Sequence, residues 1–239
     1  MTIKNIFFDM GNTLVHRPID RQIGFAQFLR SKGFDVKDSQ FLEAYSQARR
    51  AVPTRPGSGR PGYPPKREEY KQTMDQINRH FEQRITATIE FLGLSPAADI
   101  AGSIIESDYN KIQLFPETVR TLEMAMSQGY RLGIISNWDP GLMEFCREIG
   151  IREYFDTIIA SRALGYKKWW PEIFHAALAS VGGKPWESVH IGDSPGSDAW
   201  GALGAGIHPI IIDRKGEYRR LFCPIIRSLV EALPIIQAC

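Results

Sequence analysis

The sequence predicts an α/β protein in which a doubly wound parallel sheet is interrupted by a helical insert. Three observations carry that reading. A mostly apolar run at residues 3–8 ends in Asp9 and a Gly11-Asn12 turn. From Pro116 onward, strand-like and helix-like stretches alternate. Between them, residues 17–114 read as nearly all helical. Strands alternating with helices imply a parallel sheet covered on both faces.

Residues 3–8 read as a buried strand, which puts a carboxylate at its C-terminal end, where open α/β sheets hold their ligands. Residues 19–32 carry apolar positions at helical spacing (Ile23, Phe25, Ala26, Phe28, Leu29) and close on Gly33. A second helix is expected over 38–52, with Asp38 or Ser39 as N-cap. Residues 53–65 are too dense in Pro and Gly for helix or interior strand. Two further helices are expected over 66–92 and 97–113.

The alternating part begins with a helix over 116–128, with Pro116 in the first turn. Strands at 130–136, 157–160, 189–192 and 209–213 then alternate with helices at 140–149, 170–181, 197–205 and 228–238. The expected domains are an α/β core of 1–16 and 115–239 and a helical insert of 17–114.

With 239 residues, 43% hydrophobic and 23% charged, the chain is an ordinary globular protein, long enough for a core plus an inserted subdomain. A formal charge of +2 predicts neither nucleic-acid nor membrane binding. No apolar run is long enough to span a bilayer, and because Met1-Thr2-Ile3-Lys4 leads at once into a strand, no signal peptide is expected. Cys146, Cys223 and Cys239 lack metal-ligand spacing, and an odd, unpatterned set favours a reducing compartment. The expected location is cytoplasmic; the oligomeric state is left open.

Four polar sites follow strands. They are Asp9, then Ser136-Asn137, then the loop with Lys167 and Lys168, and last Asp193, with Asp198 opening the next helix. Each alone has a structural explanation: a helix N-cap, a turn, a solvated loop, a first-turn acid. In a parallel sheet, however, these loops converge on one edge. Asp9 and Asp193 offer oxygen ligands suited to Mg²⁺, and the backbone carbonyl of Gly11 adds a third. Asp9 is then available as a carboxylate nucleophile. Ser136, the Asn137 region and a lysine supply donors for phosphoryl oxygens.

Asp9-Met10-Gly11-Asn12-Thr13-Leu14 resembles the first motif of the haloacid dehalogenase-like (HAD) hydrolase superfamily, usually Asp-x-Asp-Gly-Thr-Leu. Ile134-Ile135-Ser136-Asn137 resembles the second. Gly165-Tyr166-Lys167-Lys168-Trp169-Trp170-Pro171-Glu172-Ile173-Phe174 resembles the third, usually Gly-x-x-Lys-Pro-Asp-Pro-x-Ile-Phe. Gly192-Asp193-Ser194-Pro195-Gly196-Ser197-Asp198 resembles the fourth. The motifs stand in family order and cover the α/β part.

The resemblance implies a Rossmann-like core with a C1-type helical cap at 17–114, and most often an Mg²⁺-dependent phosphatase of small phosphorylated metabolites. By family role, Asp9 is the nucleophile and Ser136, Asn137 and Lys168 bind the phosphoryl group. Lys168 is also the charge-stabilising lysine, which Asp198 orients unless it orients the metal's waters. Asp9, Gly11 and Asp193 hold the metal.

Two departures stand out. Gly11 replaces the usual general acid/base, which normally contributes ~10²–10⁴-fold in rate. This keeps two alternatives open: a 2-haloacid dehalogenase, or a catalytically weak protein that binds a phosphorylated ligand. His16 is a candidate substitute proton donor, equally readable as a flap residue. Trp169-Trp170 replace Pro-Asp, with packing between core and cap favoured over substrate stacking. Arg55 and Arg60, in the Pro/Gly loop, are candidate anion contacts, although a surface connector is the simpler reading.

Overall fold

A computed structural model describes residues 2–52, 74–108 and 111–238 of the chain, the side chain of Met74 excepted. These fall into two compact units, one of residues 2–16 and 114–238, the other of 17–113 less the stretches outside the description.

The first unit is built on a six-stranded sheet in the order β5-β4-β1-β6-β7-β8. Its strands are β1 (Asn5–Phe8), β4 (Arg131–Ser136), β5 (Thr157–Ala160), β6 (Ser188–Gly192), β7 (His208–Ile212) and β8 (Ile225–Ile226). Every pairing is parallel. β1 is buried throughout because both faces are covered, so its residues read as a continuous apolar run rather than an alternating one.

From β1 the chain builds outward through β4 and β5, then crosses back to place β6, β7 and β8 on the other side. Strand order therefore reverses between β1 and β6, which opens a crevice at their carboxyl ends. Phe8 pairs with Ile134 on one side and Ile191 on the other, so Asp9, Ser136 and Asp193 all emerge at that edge. Helix Pro171–Val181 covers one side of the sheet, burying Ile173, Phe174, Ala177 and Leu178 with Phe7 and Ile135.

The second unit is helical: Arg21–Ser31, Asp38–Ala51, Met74–Phe91 and Ala97–Ile105. They enclose a core of their own that includes Phe25, Leu29, Phe41, Ile85, Ile89 and Ile104. Asp20 caps the first helix, its carboxylate accepting from the Gln22 and Ile23 N–H groups. No helix among the described residues is long and apolar enough to cross a membrane.

Several expected boundaries shift. The second helix is capped by Lys37 rather than Asp38 or Ser39, and Gln40 returns a bond to the Lys37 N–H, which fixes the entry one residue earlier. The helix expected over 97–113 ends at Ile105, and Gln113 instead opens strand β3 (Gln113–Leu114), which pairs with β2 (Val15–His16). The helix expected from Pro116 begins at Thr118, and residues 195–199 form a wider π-type turn before helix Trp200–Gly204. A helical turn, Ser161–Leu164, separates β5 from the Lys167-Lys168 loop. The Pro/Gly loop, with Arg55 and Arg60, and the start of the helix expected from residue 66 lie outside the described residues.

Candidate active site

At the carboxyl edge of the sheet, three buried ionisable side chains are held together. Asp9 is 6% exposed, Lys168 2% and Asp198 1%. The Lys168 Nζ lies 2.5 Å from Asp9 Oδ1 and 2.5 Å from Asp198 Oδ1. The Ser136 hydroxyl donates to the same Asp9 oxygen at 2.8 Å. Both contacts thus fall on Oδ1 of Asp9 and fix the carboxylate by one edge.

Asp198 is engaged on both oxygens: Oδ1 by Lys168 and by His190 Nε2 at 2.9 Å, Oδ2 by the Ser194 N–H at 2.9 Å. Asp193 is half-buried, and its Oδ2 accepts from the Asn12 side-chain amide at 2.9 Å. Oxygens of Asp9, Asp193 and Asp198 lie within 4.8 Å of one another.

Backbone choices make this packing possible. Gly192 ends β6, and a Cβ there would lie 2.2 Å from Asp198 Cγ. Gly201 lets helix Trp200–Gly204 pass against the lysine loop, where a Cβ would lie 1.9 Å from the Lys168 carbonyl oxygen. The Asn137 side-chain oxygen accepts the Lys168 N–H at 2.9 Å and pins the same loop from the β4 side. Asn12 adopts φ 54°, the left-handed region that Asn tolerates better than most side chains, and so directs its amide at Asp193.

The charges interact accordingly. Burial opposes the Lys168 charge, but the Asp198 and Asp9 carboxylates outweigh it and hold the lysine above its ordinary range. Burial raises the Asp9 carboxyl, with Lys168 opposing. Burial also works against charge on Asp198, but Lys168 and the His190 hydrogen bond hold that carboxyl well below the ordinary range. Burial and the neighbouring Asp9 push Asp193 up to about 6. A carboxylate raised by burial and by a like-charged neighbour is one that a bound cation would relieve.

The profile of the haloacid dehalogenase-like hydrolase family matches residues 3–206, which span all four motifs and the edge just described. The chain belongs to this family. It is a hydrolase. A mouse relative, haloacid dehalogenase-like hydrolase domain-containing protein 3, is 26% identical over 250 aligned residues, covering 100% of this chain and 96% of its own. The glyceraldehyde 3-phosphate phosphatase of Methanothermobacter thermautotrophicus is 30% identical over 222 residues, covering 89% and 87%. A 2-haloacid dehalogenase from Pseudomonas syringae shares the fold with a TM-score of 0.65 at 23% identity, over 99% of both chains.

Within this hydrolase, Asp9, Ser136, Lys168 and Asp198 form one connected network, with Asp193 beside it. Asn137 is exposed, with its oxygen committed to the lysine backbone. Gly11 lies in the same turn, and a Cβ built on it meets nothing within 4 Å. His16 stacks on Phe115, ring centroids 4.4 Å apart. Trp169 is 68% exposed, and Trp170 is the N-cap residue of helix Pro171–Val181.

Sequence reasoning passed over two members of this network, Asn12 and His190. His190 is fully buried in a strand of otherwise small or apolar residues. It lies two positions before Gly192, on the strand face that meets Asp198. A polar residue inside a central parallel strand needs a partner, and that was the available signal.

Proposed function

We propose that this hydrolase is a phosphomonoesterase of small phosphorylated metabolites, with Asp9 as its nucleophile. One observation carries the reading: a buried carboxylate at the switch point is held by one oxygen, through Ser136 and Lys168, beside a second carboxylate, Asp193. Supporting it is the relative named as a glyceraldehyde 3-phosphate phosphatase.

The two donors on Oδ1 leave Oδ2 for attack on phosphorus, forming an acyl phosphate as the bond to the leaving oxygen breaks. The Lys168 ammonium offsets charge gathering on the phosphoryl oxygens, with the Ser136 hydroxyl as a further donor. Asp198 engages Lys168 directly, which favours it as the lysine's orienting partner over a role toward metal-bound water.

The donor set suits a hard cation. Asp9, Asp193 and the Gly11 carbonyl are the oxygen donors that would hold Mg²⁺, whereas both Asp198 oxygens are already engaged. When bound, Mg²⁺ supplies positive charge at the phosphoryl oxygens. Gly11 brings no proton donor, so protonation of the leaving group falls to water or to the substrate itself, and an aryl phosphate with an acidic leaving group should be turned over best.

The test is phosphate release from an aryl phosphate with and without Mg²⁺. Asp9→Asn should remove turnover by ~10³-fold or more, the scale of losing a nucleophile in such a network. Undiminished Asp9→Asn activity would overturn the proposal, and chelator-insensitive halide release from a 2-haloacid would replace it with the dehalogenase reading.

A further inference from the structure

Beyond the four motifs, one arginine makes four contacts around the turn that carries Gly11 and Asn12. Arg214 follows β7, more than two hundred residues from that turn. Its Nε donates to the Asn12 carbonyl at 3.1 Å and its Nη2 to the Thr13 carbonyl at 2.8 Å. Its Nη1 pairs with Glu117 Oε1 at 2.7 Å, and the guanidinium lies 3.4 Å from the Phe115 ring centroid. All three nitrogens and one face of the planar group are in use.

The base of this side chain is fixed as well. The Asp213 carboxylate accepts from the Gly216, Glu217 and Tyr218 N–H groups at 2.8–3.0 Å. Its Oδ2 is also 2.7 Å from Arg227 Nη1. The backbone leaving β7 is therefore set before Arg214 projects. On the far side, Glu117 accepts a second bond from the Ser228 hydroxyl at 3.2 Å.

The clamped turn needs such support. Asn12 is the only non-glycine with positive φ among the described residues, a conformation that persists where surrounding contacts hold it. That conformation aims the Asn12 amide at Asp193 Oδ2. Pinning the successive Asn12 and Thr13 carbonyls restricts rotation of the turn immediately after the Gly11 carbonyl.

We infer that Arg214 is a positioning residue for the cation site, holding the Gly11-Asn12-Thr13 turn so that the Gly11 carbonyl and Asp193 face one ion. The inference rests on the function proposed above, in which those oxygens hold Mg²⁺. Arg214 acts through the turn and touches neither metal nor substrate. Lysine cannot replace it, because a single ammonium cannot engage two carbonyls and a carboxylate in one plane.

The experiment is Mg²⁺ titration by calorimetry, without substrate, on the wild-type protein and on Arg214→Lys, Arg214→Gln and Glu117→Gln, each checked for folding by circular dichroism. Loss of an outer-sphere support typically weakens metal binding ~10–100-fold, so both Arg214 variants should bind Mg²⁺ at least ~10-fold more weakly. Their KM for an aryl phosphate at saturating Mg²⁺ should stay near wild type. Glu117→Gln removes the ion pair but leaves both carbonyl contacts, so it should lower thermal stability while keeping Mg²⁺ affinity within about twofold.

A folded Arg214→Lys or Arg214→Gln protein with wild-type Mg²⁺ affinity would overturn the inference while leaving the proposed function standing. A wild-type protein that binds no Mg²⁺ would overturn both. Equal losses of affinity in Glu117→Gln and Arg214→Gln would assign the effect to general stability and also overturn it.

Discussion

Replacing Gly201 with alanine tests how far the buried Lys168 depends on backbone packing. The added Cβ would lie 1.9 Å from the Lys168 carbonyl oxygen and 2.8 Å from Phe174 Cε2. Real Cβ atoms essentially never approach closer than 3.0 Å, so helix and lysine loop must separate by about 1.1 Å. The loop has little freedom to yield: the Lys168 N–H is bound to Asn137 Oδ1 at 2.9 Å and the Trp170 N–H to the Lys167 carbonyl at 2.9 Å. At the other end, Lys168 Nζ sits 2.5 Å from two carboxylates, so a shift of that size breaks at least one contact.

Misplacement of a reacting group by ~1 Å costs about 10²-fold in rate, and forcing an extra methyl into a packed core costs about 1–3 kcal/mol. Gly201→Ala should therefore lose about two orders of magnitude in aryl-phosphate turnover and melt several degrees lower. Gly204→Ala, on the same short helix, is the control. Its Cβ meets nothing within 4 Å, so it should retain activity and gain up to about 1 kcal/mol from the glycine's lost backbone freedom. Wild-type turnover and melting in Gly201→Ala would refute the packing argument.

Lys168→Met leaves Asp9 and Asp198 buried without their cation; it should destabilise the fold by about 3–5 kcal/mol in denaturant titration, with loss of activity. Gly11→Asp should fold normally, since its Cβ meets nothing within 4 Å, and a rise in turnover of an alkyl phosphate would identify the missing proton donor as the limiting step. Burial opposes ionisation of Glu117, yet the Arg214 hydrogen bond outweighs it and holds the carboxyl below its ordinary range. The folded state thus binds this proton less readily than the unfolded chain. The resulting stability is present above the ordinary glutamate value and lost as pH falls through the folded value. The stability difference between wild type and Glu117→Gln, followed by thermal melts from pH 7 downward, should accordingly shrink in acid.

The strand-end residues Asp9, Ser136, Lys168, Asp193 and Asp198 were legible because each sits at a fixed offset from an apolar run. A parallel sheet brings such offsets to one edge whatever the details of packing. Two-residue strands such as β2, β3 and β8 carry no periodicity, and the end of the helix at Ile105 has no glycine or proline to mark it. In the sequence Asn12 reads only as part of a turn, because its bond to Asp193 spans 181 positions. Arg214 carries no local signal for the same reason: its partners at 12, 13, 115 and 117 converge only in the folded chain.

Local chemistry therefore determined the fold class, the family and the identities of the strand-end groups, because apolar period, turn residues and motif spacing are properties of neighbouring residues. Tertiary structure decided how those groups divide their work. Asp198 has both oxygens engaged, Asp9 is held through one, Asp193 is raised by burial and by its neighbour, and a distant arginine holds the Asn12-Thr13 turn. Such assignments depend on hydrogen-bond geometry and on the removal of water from around charges, and neither exists until the sheet edge has closed.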